Sequence, residues 1–99
     1  GEHWLEADIG EVTKIGAWFV MHAGVQESAG YNTSDFRLEY KVNENDEWKC
    51  ADEVKDNHDS TTNRSFAPVE ARYVRLYITK ADQGRGRTTR INMFEVFKA

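Results

Sequence analysis

A polar stretch at positions 22–33 holds the side chains that are best suited to bind a ligand through hydrogen bonds. These side chains belong to His22, Glu27, Tyr31 and Asn32. Imidazole and amide groups both donate and accept hydrogen bonds, a carboxylate accepts them, and a phenol adds an apolar ring face. Apolar runs at 15–21 and 36–42 flank the stretch, as expected for a binding loop on a rigid scaffold. The pattern predicts recognition of a polar ligand.

Each of these side chains also has a structural role open to it. His22 could end a strand and cap the backbone of the following loop, and Asn32 could stabilise its turn through the amide. Glu27 could be solvated, and Tyr31 could cover the core instead of stacking on a ligand. The residue types alone leave both roles open.

Residue spacing gives little support to metal or acid–base chemistry. His3, His22 and His58 have no second histidine or cysteine at metal-ligand spacing, so no zinc site is predicted. Asp35 and Glu39 could be invoked as the carboxylate pair of a hydrolase. They lie on one regular strand, however, with no nucleophile or base in evidence. A noncatalytic binding role is therefore favoured.

Composition indicates one small soluble domain. The 99 residues are 39% hydrophobic and 12% aromatic, enough for a single core. No apolar run is long enough to cross a bilayer, and no signal peptide begins the chain. The net charge is −4 with opposite charges interspersed, so nucleic-acid binding is not predicted. Because there is no long apolar run, membrane insertion is not predicted either. The single cysteine, Cys50, excludes an internal disulfide and is expected to be a small buried residue on the same strand face as Trp48.

Period-two alternation of apolar and polar residues predicts an all-β fold. The clearest strand is 36–42, and 73–79 alternates in the same way. The closing strand at 91–96 carries apolar residues on both sides, so it is expected to be covered on both faces. Asn-, Asp-, Ser- and Gly-rich breakers separate six or seven short strands, a spacing typical of a sandwich or barrel.

An ordered set of short motifs carries a family resemblance. The motifs are Trp4-Leu5-Glu6-Ala7-Asp8-Ile9-Gly10, His22-Ala23-Gly24, Tyr31-Asn32-Thr33-Ser34-Asp35-Phe36, Trp48 and Ala71-Arg72-Tyr73-Val74-Arg75-Leu76. The set resembles the coagulation factor V/VIII type C (discoidin) domain. Within that superfamily it is most similar to the bacterial family 32 carbohydrate-binding modules attached to secreted glycosidases.

The resemblance implies a discoidin-like jelly-roll β-sandwich whose loops at one end bind the terminal sugars of glycans, with no catalysis of its own. It further implies a parent multidomain glycosidase and an extracellular or cell-surface location. Domains of this family usually begin with one or two more strands and a calcium-associated loop, so positions 1–99 are expected to be a domain truncated at its N-terminus. An open sheet edge would then favour self-association.

Several residues acquire expected roles through the resemblance. Arg85 and Arg87 fall in the loop before the last strand, where they could contact acidic sugars or form a solvated hairpin. His22 stands where galactose-binding members have arginine, so a galactose preference is not expected to transfer. Glu95 matches a carboxylate that holds a structural calcium ion in the full-length domain, although one carboxylate cannot supply the ligands that calcium needs. No other cofactor is implied.

The same resemblance gives the tryptophans their expected places and leaves one alternative function. Trp4 and Trp48 match core aromatic positions and are expected to be buried, whereas alternation cannot decide which way Trp18 points.

The alternative function is that of a lipid- or protein-binding adhesion domain of the discoidin type. Members that bind membranes project apolar residues from their loop tips, and the tips at 27–30 and 84–86 contain no large apolar residue.

Overall fold

The computed structural model describes residues 3–22, 34–80 and 91–99 of this chain. These residues form five β-strands: β1 (His3–His22), β2 (Asp35–Lys41), β3 (Lys49–Val54), β4 (Thr61–Lys80) and β5 (Ile91–Lys98). The predicted all-β class is confirmed. Among the described residues no helix could span a membrane.

The strands are antiparallel and hydrogen-bonded in the order β3-β2-β4-β1-β5. Strands β1 and β4 each contain 20 residues and contribute to both layers of the fold. One layer contains β2, β3 and the segments of β1 and β4 beside β2, and the other contains β5 and the remaining segments of β1 and β4. The first part of β1, His3–Asp8, pairs with β4 beside β2, whereas its last part pairs with both β4 and β5. The described residues hold five strands, whereas six or seven short strands were predicted for the whole chain; β1 and β4 each continue over 20 residues where the pattern suggested separate short strands.

A glycine marks the bend in β1. Gly10 has a φ of 100°, a conformation that side chains with a Cβ rarely adopt. Its N–H donates a hydrogen bond of 2.8 Å to Asp8 Oδ1. The pairing of β1 with β4 shifts register between Asp8 and Thr13, so the bend and the irregularity coincide.

The core lies between the two layers and is centred on Trp18. Its indole is fully buried and meets Phe36 and Phe94 edge-on, with ring centroids 5.6 Å and 6.4 Å away. The indole N–H donates a 2.9 Å hydrogen bond to Asp52 Oδ2 of β3. The other fully buried apolar side chains of the cluster include Ile15, Val20, Leu38, Val74, Leu76 and Ile78. Alternation along β2 and β4 thus predicted the inward faces correctly.

Trp4 does not occupy the predicted core position. It is 49% exposed and pairs in register with Tyr77, on the sheet face opposite to the buried Leu76. Trp48 is only half-buried and lies outside the core cluster. The expectation of burial, which rested on the family resemblance, is wrong for Trp4 because its register with Tyr77 places the side chain on the outer face of the sheet.

Two smaller expectations are also wrong. Cys50 is exposed, since it pairs with Glu39 on the outer face of the sheet. Strand β5 is not covered on both faces along its whole length: Phe94 and Val96 pack against the core, whereas Met93 and Phe97 are 41% and 45% exposed.

Candidate functional site

Four strand ends and the connection at 55–60 lie together at one end of the sandwich. His22 and Ile91, which flank the ranges 23–33 and 81–90, pair with each other in the sheet. Asp35 and Lys80, on the other sides of the same two ranges, also pair with each other. The connection at 55–60 reaches the same end, because His22 N–H donates a 2.7 Å hydrogen bond to Ser60 O. We call this part of the molecule the loop end.

The ring of His22 is buried beneath the loop end, on its core side. Its ring is fully buried, its Nε2 lies 2.9 Å from Thr62 Oγ1, and its centroid lies 5.0 Å from that of Phe36. Burial lowers the pKa of His22 from 6.5 to about 4, against the opposing charge of Asp59. The ring is therefore neutral near pH 7 and turned into the core, so a ligand could contact it only if it became accessible.

A compact hydrogen-bond network fixes the 55–60 connection to the start of β2. Asp35 Oδ1 accepts hydrogen bonds from the Asp56 N–H at 2.9 Å and from the Ser34 hydroxyl at 2.8 Å. The Asp56 N–H, followed by the Ser34 hydroxyl and the charges of nearby lysines, lowers the pKa of Asp35 despite its partial burial. The buried Asn57 donates its N–H to Ser34 O at 2.9 Å, and its side chain holds Asp59 at 3.0 Å and 3.2 Å. These contacts give the loop end a fixed polar floor.

Most of the predicted ligand-binding residues lie outside the described residues. These are Glu27, Tyr31, Asn32, Arg85 and Arg87. Their roles stay predictions, although the described residues on either side of them all belong to the loop end. The two carboxylates considered for a hydrolase are separated: Asp35 lies at the loop end, and Glu39 lies about 13 Å further along β2.

Glu95 lies elsewhere and is exposed. Glu95 belongs to β5 and pairs with Phe19 of β1. Among residues 3–22, 34–80 and 91–99, no three histidine, cysteine, aspartate or glutamate side chains converge as a metal site would require. The calcium role expected for Glu95 in a longer domain stays a prediction.

The outer face of the sheet carries an arrangement that the sequence analysis did not identify. Three rows of side chains cross the strands in register. They are Trp4–Tyr77–Arg37–Glu53, Glu6–Arg75–Glu39–Cys50 and Asp8–Tyr73–Lys41. The alternation of Tyr73, Arg75 and Tyr77 with buried residues was visible in the sequence. Only the strand register, however, shows which side chains they meet.

Cations and aromatic rings alternate on this outer face. Arg75 lies over the rings of Trp48 and Tyr77 at 4.6 Å and 4.8 Å, and over Trp4 at 5.6 Å. Lys41 Nζ lies 4.5 Å from the Trp48 centroid. The indole of Trp4 stacks on Tyr77 with an interplanar angle of 8° and centroids 6.0 Å apart. Such contacts between cations and ring faces stabilise the arrangement of the long side chains on this face.

Glu39 is a buried carboxylate that links two arginines of this face. It is 6% exposed, and its carboxylate accepts hydrogen bonds from Arg37 Nε at 2.9 Å and from Arg75 Nε on the neighbouring strand. A carboxylate bound by two guanidinium groups cannot serve as a free catalytic base. Glu39 is therefore not available as the catalytic carboxylate that the hydrolase hypothesis requires.

A groove opens at the far end of this face, away from the loop end. It has a volume of about 570 Å³, within the range of small-molecule sites. Its lining includes Glu6 and Asp8 of β1, Tyr73 of β4, and Glu44, Asn45 and Trp48 of the turn between β2 and β3. Its lining combines the aromatic rings of Tyr73 and Trp48 with polar side chains, a combination that suits ligands with both hydroxyl groups and apolar C–H faces.

Comparisons with known proteins agree with this fold. The chain is similar to the family 32 carbohydrate-binding module of Streptococcus pneumoniae EndoD, with a TM-score of 0.86 and 28% identity over 97% of this chain and 69% of that one. It is also similar in fold to the Clostridium perfringens module CpGH89CBM32-5, solved in complex with GalNAc-β-1,3-galactose, with a TM-score of 0.78 and 15% identity over 95% of this chain and 64% of that one.

A larger structure contains the same fold as one part. The Ruminococcus gnavus GH29 fucosidase, solved with fucose, matches with a TM-score of 0.79 and 18% identity over 99% of this chain and 18% of that one. A search among curated proteins found no match. The model of the F5/8 type C domain matches residues 1–93. The chain therefore belongs to the F5/8 type C domain family and has the discoidin-like fold of family 32 carbohydrate-binding modules.

Proposed function

We propose that this chain is a noncatalytic carbohydrate-binding module that holds a glycosidase on glycans. The observation that carries the proposal is the likeness to the EndoD module, which extends over 97% of the chain at 28% identity. Modules and glycosidases are also among the other structures of this fold, and one of the modules was solved with a disaccharide bound. A location outside the cell follows from such a role and belongs to the same proposal.

The proposed sugar site is the loop end. Its described part supports the proposal in two ways. The polar floor of Asp35, Asp56 and Asn57 is held by backbone and side-chain hydrogen bonds. The strand ends that flank 23–33 and 81–90 pair with one another, so both polar ranges start and finish beside that floor. Glu27, Tyr31, Asn32, Arg85 and Arg87 are the proposed contacts.

Weak binding is expected from these residue types. Each neutral hydrogen bond contributes about 0.5–1.5 kcal/mol net, and ordering a shallow site offsets part of the sum. The expected dissociation constant is on the order of 0.1–1 mM. Attachment of several modules to one glycan surface would compensate for this weakness.

A glycan array probed with the complete chain tests the proposal. We expect binding to terminal sugars, and about tenfold weaker binding after Asn32→Ala or Arg85→Ala, because each substitution removes a polar contact. Lys14→Ala, an exposed residue of the sheet, serves as the control and should bind as the unmodified chain does. His22→Ala is unsuitable here, because the buried ring contributes to folding.

The outcome that would contradict the proposal is also defined. If no glycan bound while vesicles with anionic lipids did, the alternative of a lipid-binding discoidin domain would replace it. If glycans bound but neither loop substitution mattered, the proposed contacts would be wrong while the module function stood.

A further inference from the structure

The connection between β3 and β4 contacts both strand positions that flank the polar range 23–33. Before that range, the N–H of His22 donates a 2.7 Å hydrogen bond to Ser60 O. After it, Ser34 O accepts the N–H of Asn57 at 2.9 Å. The range that holds most of the proposed sugar contacts is therefore joined at both ends to strand positions beside this connection.

Asp56 has an unusual backbone conformation within the connection. Its φ is 54°, and among residues 3–22, 34–80 and 91–99 it is the one residue other than glycine with a positive φ. Its N–H donates a 2.9 Å hydrogen bond to Asp35 Oδ1, which fixes this conformation. Glycine adopts a positive φ without the steric cost that a Cβ brings. Backbone strain of this kind concentrates at functional sites, so the side chain of Asp56 is a candidate for ligand contact.

The side chains of His58 and Asp56 stand together on the exposed side of the connection. His58 Nε2 lies 3.4 Å from Asp56 Oδ1, and the two side chains are 68% and 82% exposed. Asn57, between them, is buried, and its amide group is hydrogen-bonded to Asp59 at 3.0 Å and 3.2 Å. The connection is thus held from its inner side, while an imidazole and a carboxylate face solvent. A contact so exposed adds little to the stability of the fold.

An imidazole beside a carboxylate suits two adjacent hydroxyl groups. The carboxylate accepts hydrogen bonds from both hydroxyls, and the imidazole can donate to one and accept from the other. Hydrogen bonds to a charged acceptor are stronger than those between neutral groups. Because the two side chains are only 3.4 Å apart, hydroxyls on neighbouring carbons of one sugar ring can meet both.

The charges on this side of the loop end favour an uncharged sugar. Asp56 and Asp59 are both exposed. The cations nearby, Lys80 and Lys55, act on a different carboxylate: the N–H of Asp56, and after it the charges of these lysines, lowers the pKa of Asp35. An anionic sugar would approach the carboxylate of Asp56 against repulsion.

We propose that Asp56 and His58 are specificity-determining residues of the loop-end site, where they bind two adjacent hydroxyl groups of an uncharged sugar. The inference rests on the proposed function, because it assigns one side of the same site. It adds residues of a third connection to the contacts expected from 23–33 and 81–90.

NMR titrations of the complete chain with L-fucose, D-galactose, D-mannose and N-acetyl-D-glucosamine test the proposal. We expect at least one of these sugars to shift the signals of Asp56 and His58. N-acetylneuraminic acid, which carries a carboxylate, should bind at least fivefold more weakly than the best of the four, because of its repulsion from Asp56.

Asp56→Gly separates a binding role from a structural one. Glycine accepts the same φ, so the free energy of unfolding should stay the same or rise, whereas affinity for the best sugar should fall about tenfold. His58→Ala should weaken binding roughly threefold without loss of stability. Glu70→Gln, which neutralises an exposed carboxylate of β4 opposite Lys14, is the control and should bind as the unmodified chain does.

The outcomes distinguish this inference from the proposed function. If a sugar binds and Asn32→Ala weakens it while Asp56→Gly and His58→Ala do not, the loop-end site stands and the inference is wrong. A clear loss of stability in Asp56→Gly would also overturn it, since the side chain would then serve the fold. If neither these sugars nor any glycan of the array binds, the proposed function fails and the inference fails with it.

Discussion

At the scale of single residues, His22 couples the loop end to the core. Its position after a run of apolar residues made it a candidate for ligand contact, yet the ring lies inside the sandwich beside Thr62 and Phe36. A polar ring in that place costs free energy if it becomes charged, because the apolar surroundings solvate an imidazolium poorly. The stability of the domain should therefore report on the protonation of this one residue.

We expect the free energy of unfolding to fall as the pH is lowered from about 6.5 to about 4. Burial lowers the pKa of His22 from 6.5 to about 4, so within this window the unfolded chain binds a proton that the folded chain does not. Stability is thus fully present above pH 6.5, and on the order of 3 kcal/mol is lost by pH 4. Urea unfolding at a series of pH values measures the change.

The control for this prediction is His58→Gln, since the side chain of His58 is 68% exposed. That variant should keep the same pH dependence, whereas His22→Gln should flatten it. An NMR titration that gave the His22 ring an ordinary pKa near 6.5 would contradict the explanation.

At the scale of elements, two long strands and one buried polar contact hold the layers together. Strands β1 and β4 pass through both layers, and the bend at Gly10 lets β1 do so. Strand β3, at one edge of the sheet order, is tied back to β1 and β4 through Asp52. Its carboxylate accepts hydrogen bonds from Trp18 Nε1 at 2.9 Å and from Arg64 at 2.7 Å and 3.1 Å.

We expect Asp52→Ala to destabilise the domain by about 2–4 kcal/mol. The substitution leaves the buried indole N–H of Trp18 without its acceptor and removes the ion pair with Arg64. Burial raises the pKa of Asp52, but the hydrogen bonds from Arg64 and Trp18 outweigh it, so the net pKa is lowered and the carboxylate is charged near pH 7. Urea unfolding of the variant and the unmodified chain measures the loss.

Arg64→Ala separates the two contributions. The side chain of Arg64 is 47% exposed, so its removal should cost less than about 1 kcal/mol. Equal losses for Asp52→Ala and Arg64→Ala would show that the ion pair, and not the indole hydrogen bond, holds β3 in place.

At the scale of the whole molecule, the outer face is charged, and one strand edge has no pairing partner among the described residues. Within the described residues, His3–Asp8 of β1 pairs with β4 only. Leu5 in that segment is 44% exposed although its partner Leu76 is fully buried. An unpaired edge that carries exposed apolar side chains is a template for pairing with another chain.

We expect the chain to self-associate through this edge as its concentration rises, and Leu5→Lys to return it to the monomer, because a charge at the edge opposes strand pairing. Sedimentation velocity over a concentration series measures the association. Val12→Lys is the matched control: Val12 is 49% exposed, but it lies in the register break between Asp8 and Thr13. A chain that stayed monomeric at every concentration would contradict the prediction.

Alternation and the ordered motifs were enough to predict the all-β class, the inward faces of β2 and β4, and the family. The reason is local: period two follows from strand geometry, and side chains two apart share a face whatever lies across the sheet. The residue types of the polar ranges that hold Glu27, Asn32, Arg85 and Arg87 predict loops, and these ranges lie outside the described residues, so that part stays a prediction.

Only the tertiary structure decided what each face meets. It turned Trp18 and His22 inward, left Trp4 and Cys50 outside, and brought Glu6, Tyr73 and Trp48 together around one groove. These outcomes depend on strand register and on the bend at Gly10, which join residues more than sixty positions apart. The local pattern carries no information on such distant partners, because any register that keeps the apolar face inward satisfies it equally well.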